Sequence, residues 1–348
     1  MPGTINLTPG GVCRNIAHDI SLILSHSVPL LLITVVADDA NGRALAHHCK
    51  QTLGAHSARG IHIVCSSHTR TRTPSVSIIL NSSGDVAACV ADVDLLETAL
   101  TPELVAEHHS EDIRTSFCVV VDGDLSQDVI ERVCQMAHVS TSSHHHTRSP
   151  IVWFEPVSAP KAVRAVRVLN CIDYISPNAS ELLAMASSLG WRPSGAPEVH
   201  CARSILPGCL HSSLVSAIEW VLIKGRVKNI VLTLGGDGAA WCRCSGGGSG
   251  GNGYGNTEER KEIVIEYAPA LPARVVNCSG AGDCLVAGFI AALQVKESPL
   301  AWGVAMAKRA VESELNVPRG SMAVEAIRRD AGQVQRTIQS FTICTQLL

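Results

Sequence analysis

The residues best suited to chemistry lie late in the chain, at Asn277-Cys278-Ser279-Gly280-Ala281-Gly282-Asp283, just ahead of the apolar run Cys284 to Leu293. Glycines at the start of such a run leave backbone N–H groups and the positive end of a helix dipole facing an incoming anion, and they let that anion approach the backbone closely. A transferring phosphoryl group suits such a hole. Gly280, Ala281 and Gly282 would form it, and Asp283 beside them would accept the proton of an attacking hydroxyl. The same residues also suit a tight turn in which Asp283 caps a helix, and residue types alone leave both readings open.

Three further clusters could serve the same chemistry. In Ser176-Pro177-Asn178-Ala179-Ser180-Glu181, which follows the strand-like Ile172 to Ile175, Asn178 and Glu181 could hold the water shell of a phosphate-bound Mg2+ ion. Asn at a helix cap with Glu three residues on is equally the pattern of a capping box. Near the start, Thr8-Pro9-Gly10-Gly11 precedes a helical stretch from Val12 to Leu24. Paired glycines admit a ligand's hydroxyls against the backbone, with Asn15, one turn inside the helix, as a hydrogen-bond partner. An ordinary loop-to-helix junction would look the same. Finally, Ile230 to Leu234 runs into Gly235-Gly236-Asp237-Gly238, with Thr233 near the edge, a rest for nucleotide phosphates or a hairpin turn. There is no Walker A sequence. Gly246, Gly248 and Gly251 have dinucleotide-loop spacing, but polar Asn256 to Glu259 follows where a helix is needed.

The elements that must position these residues are legible as alternating apolar runs and helical stretches. Leu30–Val36, Phe117–Val121, Ile151–Phe154, Ile172–Ile175 and Ile230–Leu234 are continuously apolar, as strands buried on both faces are. Helical stretches at Val129–Ala137, Ser180–Leu189 and Leu214–Lys224 lie between them, and Arg274–Val276 leads into the glycine loop as a short strand. This alternation predicts an α/β fold, a three-layer α/β/α sandwich around a parallel sheet. Between about 61 and 93 the texture changes: His62–Ser66, Ser75–Leu80 and Val86–Val90, with the turn Asn81-Ser82-Ser83-Gly84-Asp85, predict a small antiparallel sheet projecting from the body. Two low-complexity stretches, about 140–149 and 245–257, read as flexible insertions.

Composition narrows the class. With 348 residues, 46% hydrophobic and 3% aromatic, the chain has ample material for a core and no aromatic platform for nucleic acid. A net charge of -3 gives no basic footprint either. The 14 cysteines are scattered without Cys-x-x-Cys pairs or a secretory leader, which predicts reduced thiols in a cytoplasmic protein and no structural zinc site. Stretches such as Val28 to Ala37 are too short and interrupted to span a membrane.

Taken in order, the four motifs resemble the ribokinase (pfkB) family of carbohydrate kinases over nearly the whole chain, as a single kinase domain. That resemblance implies ATP as co-substrate, Mg2+ held near Asn178 and Glu181, and a small β lid over the acceptor, with its strands within about 1–10 and 61–93. It also implies that Asp283 is the base, and that Thr233, Gly235, Gly236, Gly238 and Ser279 line the nucleotide site. Gly10, Gly11 and Asn15 would bind the acceptor. Within the family the likeness runs to pseudouridine kinases, through Val152 to Lys161, Ser83-Gly84-Asp85 and Pro177-Asn178 leading to Leu183-Ala184-Met185-Ala186. This implies transfer to the 5′-hydroxyl of pseudouridine, with Lys161 against base or phosphate; ribose or adenosine is the alternative acceptor, and Lys161 could instead pair with Glu155. A homodimer through the lid is a further expectation. Family members open on a strand whose acidic residue grips the acceptor, and no such strand is expected ahead of Pro9-Gly10-Gly11. An inactive ligand-binding relative is therefore the reading of a different class.

Overall fold

The computed structural model describes residues 7–25, 27–65, 71–80, 86–138, 149–192, 206–245, 262–318 and 324–344. The first elements along the chain are α1 (Val12–Ile23), β1 (Thr34–Ala37), α2 (Ala40–Leu53), β2 (Ile61–Val64), β3 (Ser75–Leu80) and β4 (Val86–Asp92). There follow α3 (Asp94–Ala99), α4 (Pro102–Thr115), β5 (Cys118–Asp122), α5 (Gln127–His138), β6 (Ile151–Glu155), α6 (Ala159–Ala162), β7 (Tyr174–Ile175) and α7 (Ala179–Ser188). The remainder are α8 (Ser212–Ile223), β8 (Asn229–Thr233), β9 (Ala239–Ser245), β10 (Glu262–Ala268), α9 (Ala281–Val295), α10 (Pro299–Val311), α11 (Val324–Gln335) and β11 (Gln339–Cys344). These elements form two compact units, one of Met1–Ile113, Asp124–Val133 and Leu271–Gln333, the other of Arg114–Gly123, Cys134–Ala270 and Val334–Leu348.

In the first unit α9 packs against both α1 and α10. Every residue from Cys284 to Ala292 is buried, as an α-helix apolar on all sides requires. Its crossing with α10 is close: a Cβ added at Gly288 would lie 2.7 Å from both the Met306 side chain and the Trp302 carbonyl. Leu32, Cys49 and Leu53 make a second core against Cys13, Ala17, Leu45 and Ile61.

Two small sheets complete this unit and correct the sequence expectation. β1 pairs in parallel with β2, Thr34 opposite Ile61, in a sheet of two strands. The run Leu30–Val36 thus does not join a large sheet, and the segment expected at His62–Ser66 does not join an antiparallel one. The crossover that parallel pairing needs is supplied by α2, which begins where Asp39 accepts a bond from the Gly42 N–H at 2.7 Å. β3 and β4 do form an antiparallel pair, although their expected turn at 81–85 lies outside the described residues. Arg274–Val276 is not a strand: Val275 and Val276 are exposed, and the Val276 N–H donates to Val311 at 2.7 Å.

The second unit is built on a seven-stranded sheet in the order β11-β10-β9-β8-β7-β6-β5. β5 to β8 run parallel, and Val152, Trp153, Phe154, Ile230, Val231 and Leu232 are wholly buried, as their continuously apolar sequence demands. β9, β10 and β11 are antiparallel additions, so the sheet is mixed. β9 and β10 flank the glycine-rich stretch, which, beyond Ser245, lies outside the described residues, as does Ser140 to His146. α7 and α8 pack on β8, and α8 also on β9. Among the described residues no two cysteines form a disulfide, and no helix is long and apolar enough to cross a membrane.

Candidate active site

Within the first unit the glycine loop and the N-terminal motif come together. Gly280 occupies the cap position of α9 with φ 80, and a Cβ there would stand 2.6 Å from the Asn316 carbonyl, so only glycine fits. No side chain caps the helix, which removes the alternative in which Asp283 does so. A Cβ at Gly282 or Gly10 would meet nothing within 4 Å, so both face open space. Gly11, with φ 98, caps α1, and four residues on Asn15 donates its side-chain N–H to Asp283 Oδ2 at 2.6 Å. Ser279 is fixed by its own N–H, which donates to the Asn277 side chain at 2.9 Å.

Two charged neighbours escaped the sequence analysis. Arg14 donates to the carbonyls of Gly10 at 3.1 Å and Pro9 at 2.6 Å, and also to Asn15 Oδ1. It therefore shapes the Pro9-Gly10 turn and fixes the Asn15 amide with its N–H side toward Asp283. Burial lowers the Arg14 pKa, while Cys49, Asp19 and Asp283 nearby act in the opposite sense. Asp19, one turn beyond Asn15, is completely buried. Its Oδ2 accepts from the Cys284 thiol at 3.0 Å, and its Oδ1 has no hydrogen-bond partner. Burial pushes its carboxyl up to about 7; the thiol bond opposes the rise, Asp283 adds to it and Arg14 opposes it. A signal was present: Arg14, Asn15, His18 and Asp19 recur at helical spacing in an otherwise apolar segment, and all four are buried.

The second unit gathers another set at the carboxyl ends of β7 and β8. The Thr233 N–H donates to the Pro177 carbonyl at 2.9 Å, which sets Asn178 beside Thr233. Asn178 Oδ1 accepts from the Glu181 N–H at 3.0 Å, and Glu181 Oε2 accepts from the Asn178 N–H at 2.8 Å. The capping box is thus formed, and burial raises the Glu181 pKa against the effect of its bonds with Asn178. Gly235–Asp237 makes a single turn that closes the β8–β9 hairpin, so the hairpin reading of this motif also holds. A Cβ at Gly235 or Gly236 would meet nothing within 4 Å, while one at Gly238 would stand 2.1 Å from the Ala268 carbonyl. Tyr267, a residue the sequence did not single out, locks this turn by donating its hydroxyl to the Asp237 carbonyl at 2.6 Å. Lys161 lies in α6, after a sharp turn at Val157, which adopts φ 67 while the Ser158 N–H donates to Pro156 at 2.7 Å. Glu155 accepts from the Ser176 hydroxyl, which itself accepts from the Trp153 indole at 2.7 Å.

A carboxylate held by an amide beside a glycine-opened helix can take a proton next to a bound anion, which is the equipment of phosphoryl transfer. The sequence pattern of the pfkB family carbohydrate kinases matches residues 2–312. This chain belongs to the pfkB family. As a pfkB kinase it is a phosphotransferase that acts on an alcohol group. It is 31% identical to the pseudouridine kinase of Arabidopsis thaliana over 352 residues, covering 91% of this chain and 85% of that protein. Identity to the pseudouridine kinase of Escherichia coli K12 is 25% over 308 residues, covering 88% and 80%. The fold is ribokinase-like: the crystal structure of ribokinase from Thermotoga maritima superposes with a TM-score of 0.63 at 18% identity, covering 94% of this chain and 89% of that one.

Proposed function

We propose that this pfkB kinase transfers the γ-phosphoryl group of ATP to the 5′-hydroxyl of pseudouridine. The observation that carries the chemistry is the 2.6 Å contact between Asn15 and Asp283, beside a glycine loop that only Gly280 can form. The acceptor rests on the two similar proteins named pseudouridine kinase.

In this mechanism Asp283 accepts the hydroxyl proton as the new bond forms, and the backbone N–H groups of Gly280, Ala281 and Gly282 meet the charge on the transferred group. Gly10, Gly11 and Asn15 of the first unit would meet the acceptor, as would Lys161 of the second. In the second unit Thr233, Gly235, Gly236 and Gly238 would meet the nucleotide, with Tyr267 keeping their turn in place, and in the first unit Ser279 would do so. Asn178 and Glu181 suit a magnesium ion held through its waters, since one carboxylate suffices for an ion that takes its other ligands from solvent and phosphate. Bound there, it would neutralise phosphate charge. The β3–β4 sheet would serve as the lid. Its Val76, Ile78, Ile79 and Val90 are about half exposed or more, and we infer that a second copy of the chain covers them. The scattered cysteines, with no Cys-x-x-Cys pair among them, fit action in the cytoplasm.

The test is to compare pseudouridine, uridine, ribose and adenosine as acceptors with ATP and Mg2+, with and without chelator. Pseudouridine should show a kcat/KM roughly tenfold or more above the others, because a site built to bond polar groups rejects a ligand that lacks them. Preference for ribose or adenosine would overturn the acceptor; no transfer to any would overturn the activity.

A further inference from the structure

α1 presents two side chains one turn apart, Asn15 and Asp19, to two consecutive residues in the first turn of α9, Asp283 and Cys284. The Asn15 contact belongs to the site already described. The Asp19 contact does not: a wholly buried carboxyl accepts from a buried thiol at 3.0 Å and leaves its other oxygen without a partner. A buried carboxylate is costly unless its charge is compensated or put to use. Here the compensation is partial. The groups that act on it are Arg14 on α1 and Asp283 and Cys284 on α9; farther out on α2, His48 stands 6.0 Å from the neighbouring His18, ring to ring, and Cys49 interacts with Arg14. Of these only Arg14 is a fixed cation, and its donors are engaged by Pro9, Gly10 and Asn15.

We propose, resting on the kinase reading above, that Asp19 is a positioning residue that acts on the base through charge: when Asp19 is ionised, Asp283 binds the acceptor's proton more strongly and transfer quickens. The proton Asp19 loses goes to solvent, and the one Asp283 gains comes from the acceptor hydroxyl. The two carboxyls thus have separate tasks set by their surroundings, one reactive and one tuning. The ionisation falls in the neutral range, since burial holds the Asp19 carboxyl at about 7. Cys284 sets the midpoint, because its thiol bond favours the charged form.

The experiment is the pH profile of kcat/KM between about pH 5 and about pH 9 for the wild type, Asp19→Asn, Cys284→Ala and Cys284→Ser. The wild type should rise roughly three- to tenfold, a minor share of the total worth of a general base. Asp19→Asn should stay flat at the lower level. Cys284→Ala should move the rise to higher pH and Cys284→Ser, a stronger donor, to lower pH. A rising limb that survives in Asp19→Asn belongs to another group, such as His18, and overturns the proposal. So does a midpoint unmoved in both Cys284 variants, which decide the matter if Asp19→Asn does not fold. Carbon NMR of the Asp283 carboxyl in ligand-free protein separates this idea from the kinase reading. Two titration steps in the wild type and one in Asp19→Asn support the coupling whatever the substrate, and identical curves sink it.

Discussion

At the scale of single residues, Asp283 has the clearest assignment to test. Asp283→Asn keeps the size of the side chain and removes the base, so turnover should fall about 10²- to 10⁴-fold while ATP affinity, measured by calorimetry, changes little. Unchanged turnover would remove Asp283 from the chemistry. Asp19 makes a thermodynamic prediction as well. Folding raises its proton affinity, so between the ordinary 3.8 and about 7 the folded chain keeps a proton that the unfolded chain has lost. Stability should therefore decline as pH rises through that window and level off above it. Urea unfolding at stepped pH should show a shallower decline for Asp19→Asn, with the remainder owed in part to Glu181 and Glu219, whose pKa values burial also raises. A decline of unaltered steepness would place the proton elsewhere. Asn15 and Asp283 were legible as motif members because glycines flag each of them. Arg14 and Asp19 were not, since a charged residue in an apolar helix acquires meaning only when its partner, here a carbonyl or a thiol 265 positions away, is known.

At the scale of elements, the glycine loop and α9 act as one part. Gly280→Ala would force an alanine to φ 80 and its Cβ against the Asn316 carbonyl. The conformation alone costs about 1–2 kcal/mol, and displacement of the loop should reduce turnover roughly 10²-fold. Thermal unfolding and a turnover assay check both; wild-type behaviour would show that the loop does not need its left-handed residue. Strands β5, β6 and β8 and helices α1, α5, α7, α8 and α9 were readable from periodicity because each has one uniform environment along its length. β1 and β2 were misassigned because period reveals a strand but not its partner. β9 and β10 were overlooked because a glycine-rich stretch separates them and only β10 alternates in burial along most of its length.

At the scale of the whole molecule, low charge and few aromatics give no footprint for a nucleic-acid partner, and the order of four weak motifs did what none did alone. Association belongs to this scale. A two-stranded sheet with apolar residues exposed on both faces is marginal by itself, so the wild type should sediment as a dimer and Ile78→Lys as a monomer. A monomeric wild type would leave those faces to some other cover. The crossing of α9 with α10 has a consequence for heredity. Every missense change in a glycine codon adds a Cβ, and at Gly288 that atom would meet Met306 and the Trp302 carbonyl at 2.7 Å. Gly288 therefore has no conservative substitution. Harmful alleles of this gene should gather there, among residues that touch no ligand, as readily as at Asp283 itself.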